Sequence, residues 1–248
     1  MTIELFREDA YLKECEATVM AVTERGGIVL DQTVFYPTGG GQPGDSGILI
    51  PADGRRLRIA STVYDRDSGA IVHVPDDSGE VGQDLPAVGT AVKAVIDWDR
   101  RYRHMRMHTA LHLLCAVVPC GVTGGQIGVE KSRLDFDIGE QTLDKEEITA
   151  QLNDLVVQDI SVSADWISDE QLDRNPDLVR TMSVAPPRGV GRVRLIKVGE
   201  DVDLQPCGGT HVKRTSEIGP LRVSKIENKG KRNRRVNIVF ADQTGRDQ

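Results

Sequence analysis

Apolar and polar positions alternate along the first hundred residues in short runs of period two. The runs 16–22 (EATVMAV), 28–36 (IVLDQTVFY), 57–64 (LRIASTVY), 70–74 (AIVHV) and 91–97 (AVKAVID) are rich in β-branched side chains, with Gly, Pro and Asp between them. Such runs predict strands. TERGG at 23–27 supplies turn chemistry between the first two. Many short strands joined by turns predict a small β-barrel or a sandwich. A turn-rich stretch, PDDSGEVGQDLPAVG, lies at 75–89. The module boundary is expected near residue 95, giving a β-barrel module over 1–95 and a second domain over 96–248.

Beyond that boundary the period changes. In 101–118 the apolar residues Met107, Leu111, Leu114, Cys115 and Val118 recur at spacings of three and four, which predicts a helix ended by Pro119 and Gly121. A second helix is expected over 144–160. Asp144 would cap it and Glu147 complete a capping box, with Ile148, Leu152, Leu155 and Val156 as the buried stripe. Ser168 with Gln171 marks another helix start, and Asn175-Pro176 a third. Strands return at 133–138, 192–198, 201–205, 220–227 and 235–240. The second domain is therefore expected to be α+β, with helices packed on a largely antiparallel sheet. The chain has no internal repeat and no low-complexity tract.

Composition keeps this reading within globular proteins. The chain has 248 residues, 39% hydrophobic and 28% charged. No apolar run approaches the roughly 18 residues of a membrane helix. Glu4, Arg7, Glu8, Asp9 and Lys13 interrupt any apolar core a secretory signal would need. A cytoplasmic protein without membrane partners is expected. The net charge of −7 argues against coating nucleic acid by bulk charge. Positive charge is local instead. KIENKGKRNRR at 225–235 holds six basic residues and one acid, and RRYRHMR at 100–106 holds four arginines and no acid. Taken alone, either cluster reads as a solvated loop.

The scarce residues carry the chemistry. Four cysteines in a chain of this length do not make a disulfide framework, and Cys15, Cys115 and Cys120 read as ordinary thiols. Of five histidines, His104, His108 and His112 follow one another at intervals of four. Helical spacing of four puts side chains on one face, one turn apart, so His108 and His112 could share a metal ion. His104 lies a turn further along and reads as supporting the site or facing RNA. The segment PCGGTH at 206–211 offers Cys207 and His211, also four apart. The two glycines between them disfavour helix and favour a tight turn in which both side chains point one way. Together the pairs supply N, N, S and N, a donor set suited to tetrahedral Zn²⁺. Four protein ligands suit a structural zinc, whereas a catalytic zinc usually keeps three and a water. Spacing leaves both roles open.

A third feature is FYPTGGGQPGDSG at 35–47. It is neither a P-loop nor a dinucleotide fingerprint, and on spacing alone it reads as a wide turn between barrel strands. In the order FYPTGGGQPGDSG, HTALHLL, CGGTHV, however, the three motifs resemble the AlaX family of alanyl-tRNA editing proteins, free-standing relatives of the editing domain of alanyl-tRNA synthetase. KSRLDFDI at 131–138 and TSEIGPLRVSKIE at 215–227 are also similar to that family, and the resemblance runs from about residue 16 to about 240. Its extent matches the longer members, which keep the N-terminal glycine-rich barrel.

The resemblance implies a zinc-dependent aminoacyl-tRNA hydrolase with metal ligands His108, His112, Cys207 and His211. Its substrate would be tRNA(Ala) mischarged with serine, and with glycine as a second possibility. Gln126, in GVTGGQIG, looks like the glutamine near the substrate in the synthetase editing domain. Thr210, beside His211, would reach the serine hydroxyl. Gly39, Gly40, Gly41 and Gln42 resemble the segment that leans over the editing site. One departure is Leu111, where the synthetase often has Thr before the second histidine. The basic groups Lys225, Lys229, Lys231, Arg232, Arg234 and Arg235, with Arg101, Arg103 and Arg106, become candidates for acceptor-stem phosphates. Nothing resembles the ATP-binding core of a synthetase, so ATP is not expected. Two rival readings stand beside this one: a zinc-stabilised RNA-binding module without catalysis, and an editor of seryl-tRNA(Thr). A small-ester metallohydrolase has least in its favour.

Overall fold

The computed structural model describes residues 2–76, 85–175, 178–179 and 192–241. They divide into two compact units, Met1–Tyr102 and Arg103–Gln248. In chain order the first holds β1 (Ile3–Glu4), α1 (Leu5–Glu8), β2 (Glu14–Val22), β3 (Ile28–Leu30), β4 (Gln32–Thr33), β5 (Gly47–Pro51), β6 (Leu57–Tyr64), β7 (Ile71–Pro75) and β8 (Ala91–Ile96). The division falls inside α2 (Trp98–Val117). The second unit adds β9 (Gly121–Gln126), β10 (Lys131–Asp137), α3 (Lys145–Val157), β11 (Val162–Ser168), α4 (Asp169–Asp173), β12 (Arg192–Val198), β13 (Asp203–Pro206), β14 (Leu221–Asn228) and β15 (Asn233–Phe240).

Six strands of the first unit close into a barrel in the order β2-β3-β7-β6-β5-β8, with every pair antiparallel. Alternate side chains point inward, and Val19, Ile28, Leu30, Leu49, Ile59, Val92 and Ala94 fill the interior. Closure depends on β5, a strand absent from the expected set. Its first residue explains why it is easily passed over. A Cβ on Gly47 would lie 2.2 Å from the Val95 carbonyl oxygen, so only glycine lets β5 lie against β8 here. The run expected over 28–36 is broken. β3 and β4 are separate, and Val34, Phe35 and Tyr36 leave strand geometry while remaining buried. Residues 77–84 of the turn-rich stretch lie outside the described residues.

One polar residue inside this barrel has a measurable consequence. His73 Nδ1 is 3.0 Å from the Ile28 carbonyl oxygen and Nε2 is 2.8 Å from Thr33 Oγ1. A carbonyl only accepts, so Nδ1 carries the proton and the Thr33 hydroxyl donates to Nε2. Burial pushes this imidazole down from 6.5 to about 4, against the pull of the Ile28 carbonyl. The unfolded chain therefore binds the extra proton first. The associated stability is present above pH 6.5 and is lost as pH falls through about 4, amounting to about 3 kcal/mol. Urea midpoints at pH 7 and pH 4.5 should differ by less in a His73→Gln variant than in the parent. An equal difference in both would mean that His73 does not control the acid limb.

The second unit holds two antiparallel sheets, β14-β15-β10-β9 and β11-β12-β13, in keeping with an α+β class. β9 and β11 were not expected. β9 is GVTGGQ, whose three glycines hide a strand signal, and β11 carries a run of exposed side chains rather than alternation. α3 is capped by Asp144, which accepts from the Glu146 and Glu147 amides at 2.8 and 2.9 Å. The expected box is incomplete, because the Glu147 carboxylate takes Gln151 Nε2 instead. α3 docks on β14 through Asn153, whose Oδ1 accepts from Leu221 N and whose Nδ2 donates to Leu221 O. The Ser168–Gln171 capping box at α4 is present. Of the start expected at Asn175-Pro176, Pro176 lies outside the described residues.

α2 is the element whose burial most exceeds its pattern. Every residue from Met107 to Cys115 is buried, polar ones included. An amphipathic stripe would bury about half of such a segment. The difference is that His108, Thr109 and His112 are enclosed along with the leucines. Among the described residues, no helix is long and apolar enough to cross a membrane.

Candidate metal centre

Four side chains converge in the second unit. His108 and His112 come from successive turns of α2, and Cys207 and His211 from the turn after β13. Cys207 Sγ lies 3.4 Å from His108 Nε2 and 3.3 Å from His211 Nε2. All four candidate ligand atoms lie within 4.8 Å of one another. A tetrahedral ion with Zn–S and Zn–N bonds of ordinary length would hold sulfur and nitrogen about 3.5 Å apart. The donor set and its spacing therefore fit one ion of the zinc type.

The other ring nitrogens of His112 and His211 are also held. His112 Nδ1 is 2.7 Å from Asp203 Oδ2, and Gln205 Nε2 donates to the same oxygen at 2.8 Å. His211 Nδ1 is 3.2 Å from Thr109 Oγ1. The Thr109 hydroxyl proton goes to Met105 O at 3.0 Å, so Thr109 accepts from His211, and both rings keep their protons on Nδ1. Nε2 is thereby left as the ligand atom on each. Partners of this kind fix tautomer and ring direction at metal sites. Asp203, Gln205 and Thr109 went unnoticed in the sequence. A signal was there, since Asp203, Gln205 and Cys207 alternate along a strand and so share one face.

Burial raises the Cys207 thiol, but the facing histidines, His108 first, outweigh it and hold it well below its usual range. Burial and the His108 charge push His211 well below 6.5. Burial also opposes a charge on His112, yet Asp203 and Cys207 carry it up to about 10. A thiolate is thus already favoured, and His112 would have to give up its Nε2 proton to serve as a ligand.

The turn itself is built by backbone contacts. Arg194 Nη1 donates to Cys207 O at 3.0 Å and Gly209 O at 2.9 Å, and the Gly209 amide points at Cys207 Sγ from 3.5 Å. Thr210, which precedes His211 in the sequence, is buried. Gln126 is exposed at the end of β9, where its Oε1 accepts from Arg133 Nε at 3.3 Å. The glycine-rich motif belongs to the first unit. Gly39 and Gln42 exchange backbone hydrogen bonds of 3.1 and 2.9 Å around Gly40 and Gly41, whose φ values are +55° and +82°. Two positive φ values in a two-residue loop make a type I′ turn, which requires these glycines. Gln42 is buried.

Not all of the expected basic groups face solvent. Arg101 is fully buried and ion-paired with Asp45, so it is not a phosphate contact. Arg106 donates to Ile218 O and stacks 4.0 Å from the Phe240 ring centroid, which makes it a packing residue. His104 is buried and does not face RNA. Arg103 is exposed. Lys225, Lys229, Lys231 and Arg232 are exposed on the β14–β15 hairpin, with Arg232 bonded to Asp137. Arg234 and Arg235 are half-buried, and Arg235 is held by Asp135 at 2.7 and 2.8 Å.

Residues 193–237 match the family described as the threonyl and alanyl tRNA synthetase second additional domain, and residues 3–100 match tRNA synthetases class II (A). The chain is 39% identical over 252 residues to the alanyl-tRNA editing protein AlaX-M of Methanosarcina mazei, covering 98% of each. It is 36% identical to AlaX-M of Saccharolobus solfataricus, covering 95% of this chain and 98% of that one. A similar identity, 36%, joins 91% of it to 25% of an alanine–tRNA ligase from Pyrobaculum calidifontis.

Proposed function

The chain belongs to the AlaX family of alanyl-tRNA editing proteins, and from that premise we propose that it is a trans-editing hydrolase for mischarged tRNA(Ala). The observation that carries this reading is the enclosed donor set His108, His112, Cys207 and His211 in a chain alignable end to end with AlaX-M relatives. The reaction is hydrolysis of the ester between a wrong amino acid and the terminal ribose, releasing the free acid and the ribose hydroxyl.

The substrates are seryl-tRNA(Ala) and, second to it, glycyl-tRNA(Ala). A synthetase pocket distinguishes one methylene by only about 1–3 kcal/mol and rejects an added hydroxyl poorly, so a second hydrolytic site is needed. His108, His112, Cys207 and His211 would hold Zn²⁺, which when bound supplies Lewis acidity or a water of lowered pKa. Asp203 and Thr109 keep the Nδ1 protons in place and so aim Nε2 of His112 and His211 inward. Thr210, buried and next to His211 in the sequence, is assigned to the serine hydroxyl, and Gln126 and the Gly39–Gln42 turn to the substrate. ATP has no part in a hydrolysis of this kind, and the work belongs in the cytoplasm, where charged tRNA is used.

The test is deacylation of seryl-tRNA(Ala) beside alanyl-tRNA(Ala), with metal content measured on the same sample. Loss of serine with alanine spared is expected. A fully metallated protein that binds tRNA yet cleaves neither ester would favour a zinc-stabilised RNA-binding module, which a saturated four-ligand site would suit. Activity only toward seryl-tRNA(Thr) would reassign the tRNA.

RNA contact through the hairpin makes a separate expectation. Replacing Arg232, Arg234 and Arg235 together by Ala should weaken tRNA binding and flatten the dependence of log K on log salt by about 2. An unchanged slope would put the RNA on another surface.

A further inference from the structure

One face of the β11-β12-β13 sheet leads away from the metal centre to an exposed aromatic side chain. Trp166 on β11 pairs across to Arg194 on β12, and the Cys207 amide donates to Arg194 O at 3.1 Å on the far side. Cross-strand partners share a face. Trp166, Arg194 and Cys207 therefore form one row. The next two rows on the same face are Ala164, Ile196, Gln205 and Val162, Val198, Asp203. That face thus carries Cys207, Asp203, which holds His112, and Gln205, which donates to Asp203. With strands 4.7–4.9 Å apart, Trp166 sits about 10 Å from Cys207 along its row, a distance that a terminal ribose and base can bridge.

The chemistry of this face changes with distance from the metal centre. Ile196, Val198, Asp203 and Gln205 are buried, while Trp166 is 39% exposed. The Arg192 guanidinium lies 4.6 Å from the Trp166 ring centroid, and Arg192 itself is exposed. Arg194 is fixed at the lip of the ligand turn by its bonds to Cys207 O and Gly209 O. An indole layered with a guanidinium is a platform for an unstacked base, and the two arginines supply positive charge for the adjoining phosphate.

We propose that Trp166, with Arg192 and Arg194, binds the unpaired 3′-terminal nucleotide of the RNA substrate and so sets the ester at the metal centre. This rests on the function proposed above and adds to it the residues that seat the RNA end. Trp166 is a binding residue whose loss should appear in KM. The experiment uses the metal-loaded full chain. In a Trp98→Phe background Trp166 is the remaining tryptophan of the two in the chain, so its fluorescence reports the site alone. The trinucleotide CCA should quench it saturably, and the dinucleotide CC much less.

Trp166→Ala should raise KM for mischarged tRNA between about 5- and 100-fold, with kcat within about twofold and metal content unchanged. Trp166→Phe should restore most of the loss. An active parent whose KM is unmoved by Trp166→Ala, with no quenching by CCA, would overturn the assignment. So would concentration-dependent self-association that Trp166→Ala abolishes without any quenching, since a second copy would then be the occupant. A parent that cleaves no ester would defeat the proposed function instead, and the quenching measurement would still decide this site.

Discussion

Cys207→Ala is expected to leave the protein unable to retain its metal and to reduce deacylation to below about 1% of the parent rate. Cys207 is the one sulfur in the cluster and touches the Nε2 atoms of both His108 and His211, so its removal opens the centre on two sides. Removing only the hydrogen-bond partner of a ligand typically costs about 10–100-fold in metal affinity, and removing the ligand itself should cost more. Asp203→Asn provides the graded comparison. It keeps the shape beside His112 but removes the charge that holds Nδ1–H, and affinity should fall about 10–100-fold with the cluster otherwise intact. Chelator competition gives the affinities, and elemental analysis with a deacylation assay gives the rest. A Cys207→Ala protein with full metal and full rate would remove this cluster from the chemistry.

Arg101→Met should destabilise the barrel unit by about 3–5 kcal/mol, because it strands a buried carboxylate. The guanidinium is spent entirely on internal partners: Asp45 through Nε and Nη2, the Ala10 carbonyl at 2.9 Å and the Val34 carbonyl at 2.6 Å. Asp45 in turn accepts the Tyr36 amide at 2.7 Å and closes the base of the loop that carries Gly39 to Gln42. For a unit of about a hundred residues, the melting temperature should fall on the order of 15 °C. Adding Asp45→Leu should recover part of this, as apolar replacement of a buried pair often does, although the Tyr36 amide would remain without its acceptor. An unmoved melting temperature for the single variant would mean that the pair does not hold the loop.

Much of the chemistry was legible because it is written in local spacing. His108 and His112 fall four apart in a helical pattern, and Gly208-Gly209 forces a turn between Cys207 and His211. Both pairings follow from backbone geometry over fewer than six residues. β6 over Leu57–Tyr64 and β12 over Arg192–Val198 lie where alternation and β-branched residues put them. β5, β9 and β11 were missed for a shared reason. Glycine at close approaches and polar residues on an open face remove the alternation that marks a half-buried strand.

The arginines divide along the same line. A run such as RRYRHMR shows positive charge, yet its sequence does not tell which guanidinium meets solvent. Asp45 lies 56 residues before Arg101 and Ile218 lies 112 after Arg106, and these distant partners turn one surface candidate into a buried ion pair and the other into a half-buried packing residue. By itself the sequence determined the alternating barrel strands, the helix bearing His108 and His112, the turn bearing Cys207 and His211, and the kinship with AlaX. Tertiary structure alone decided that the two pairs meet, that Asp203 and Thr109 set their tautomers, and that Arg101 is internal. The physical reason is range: periodicity and turn chemistry act between near neighbours, whereas burial and pairing depend on which distant segments the folded chain brings together.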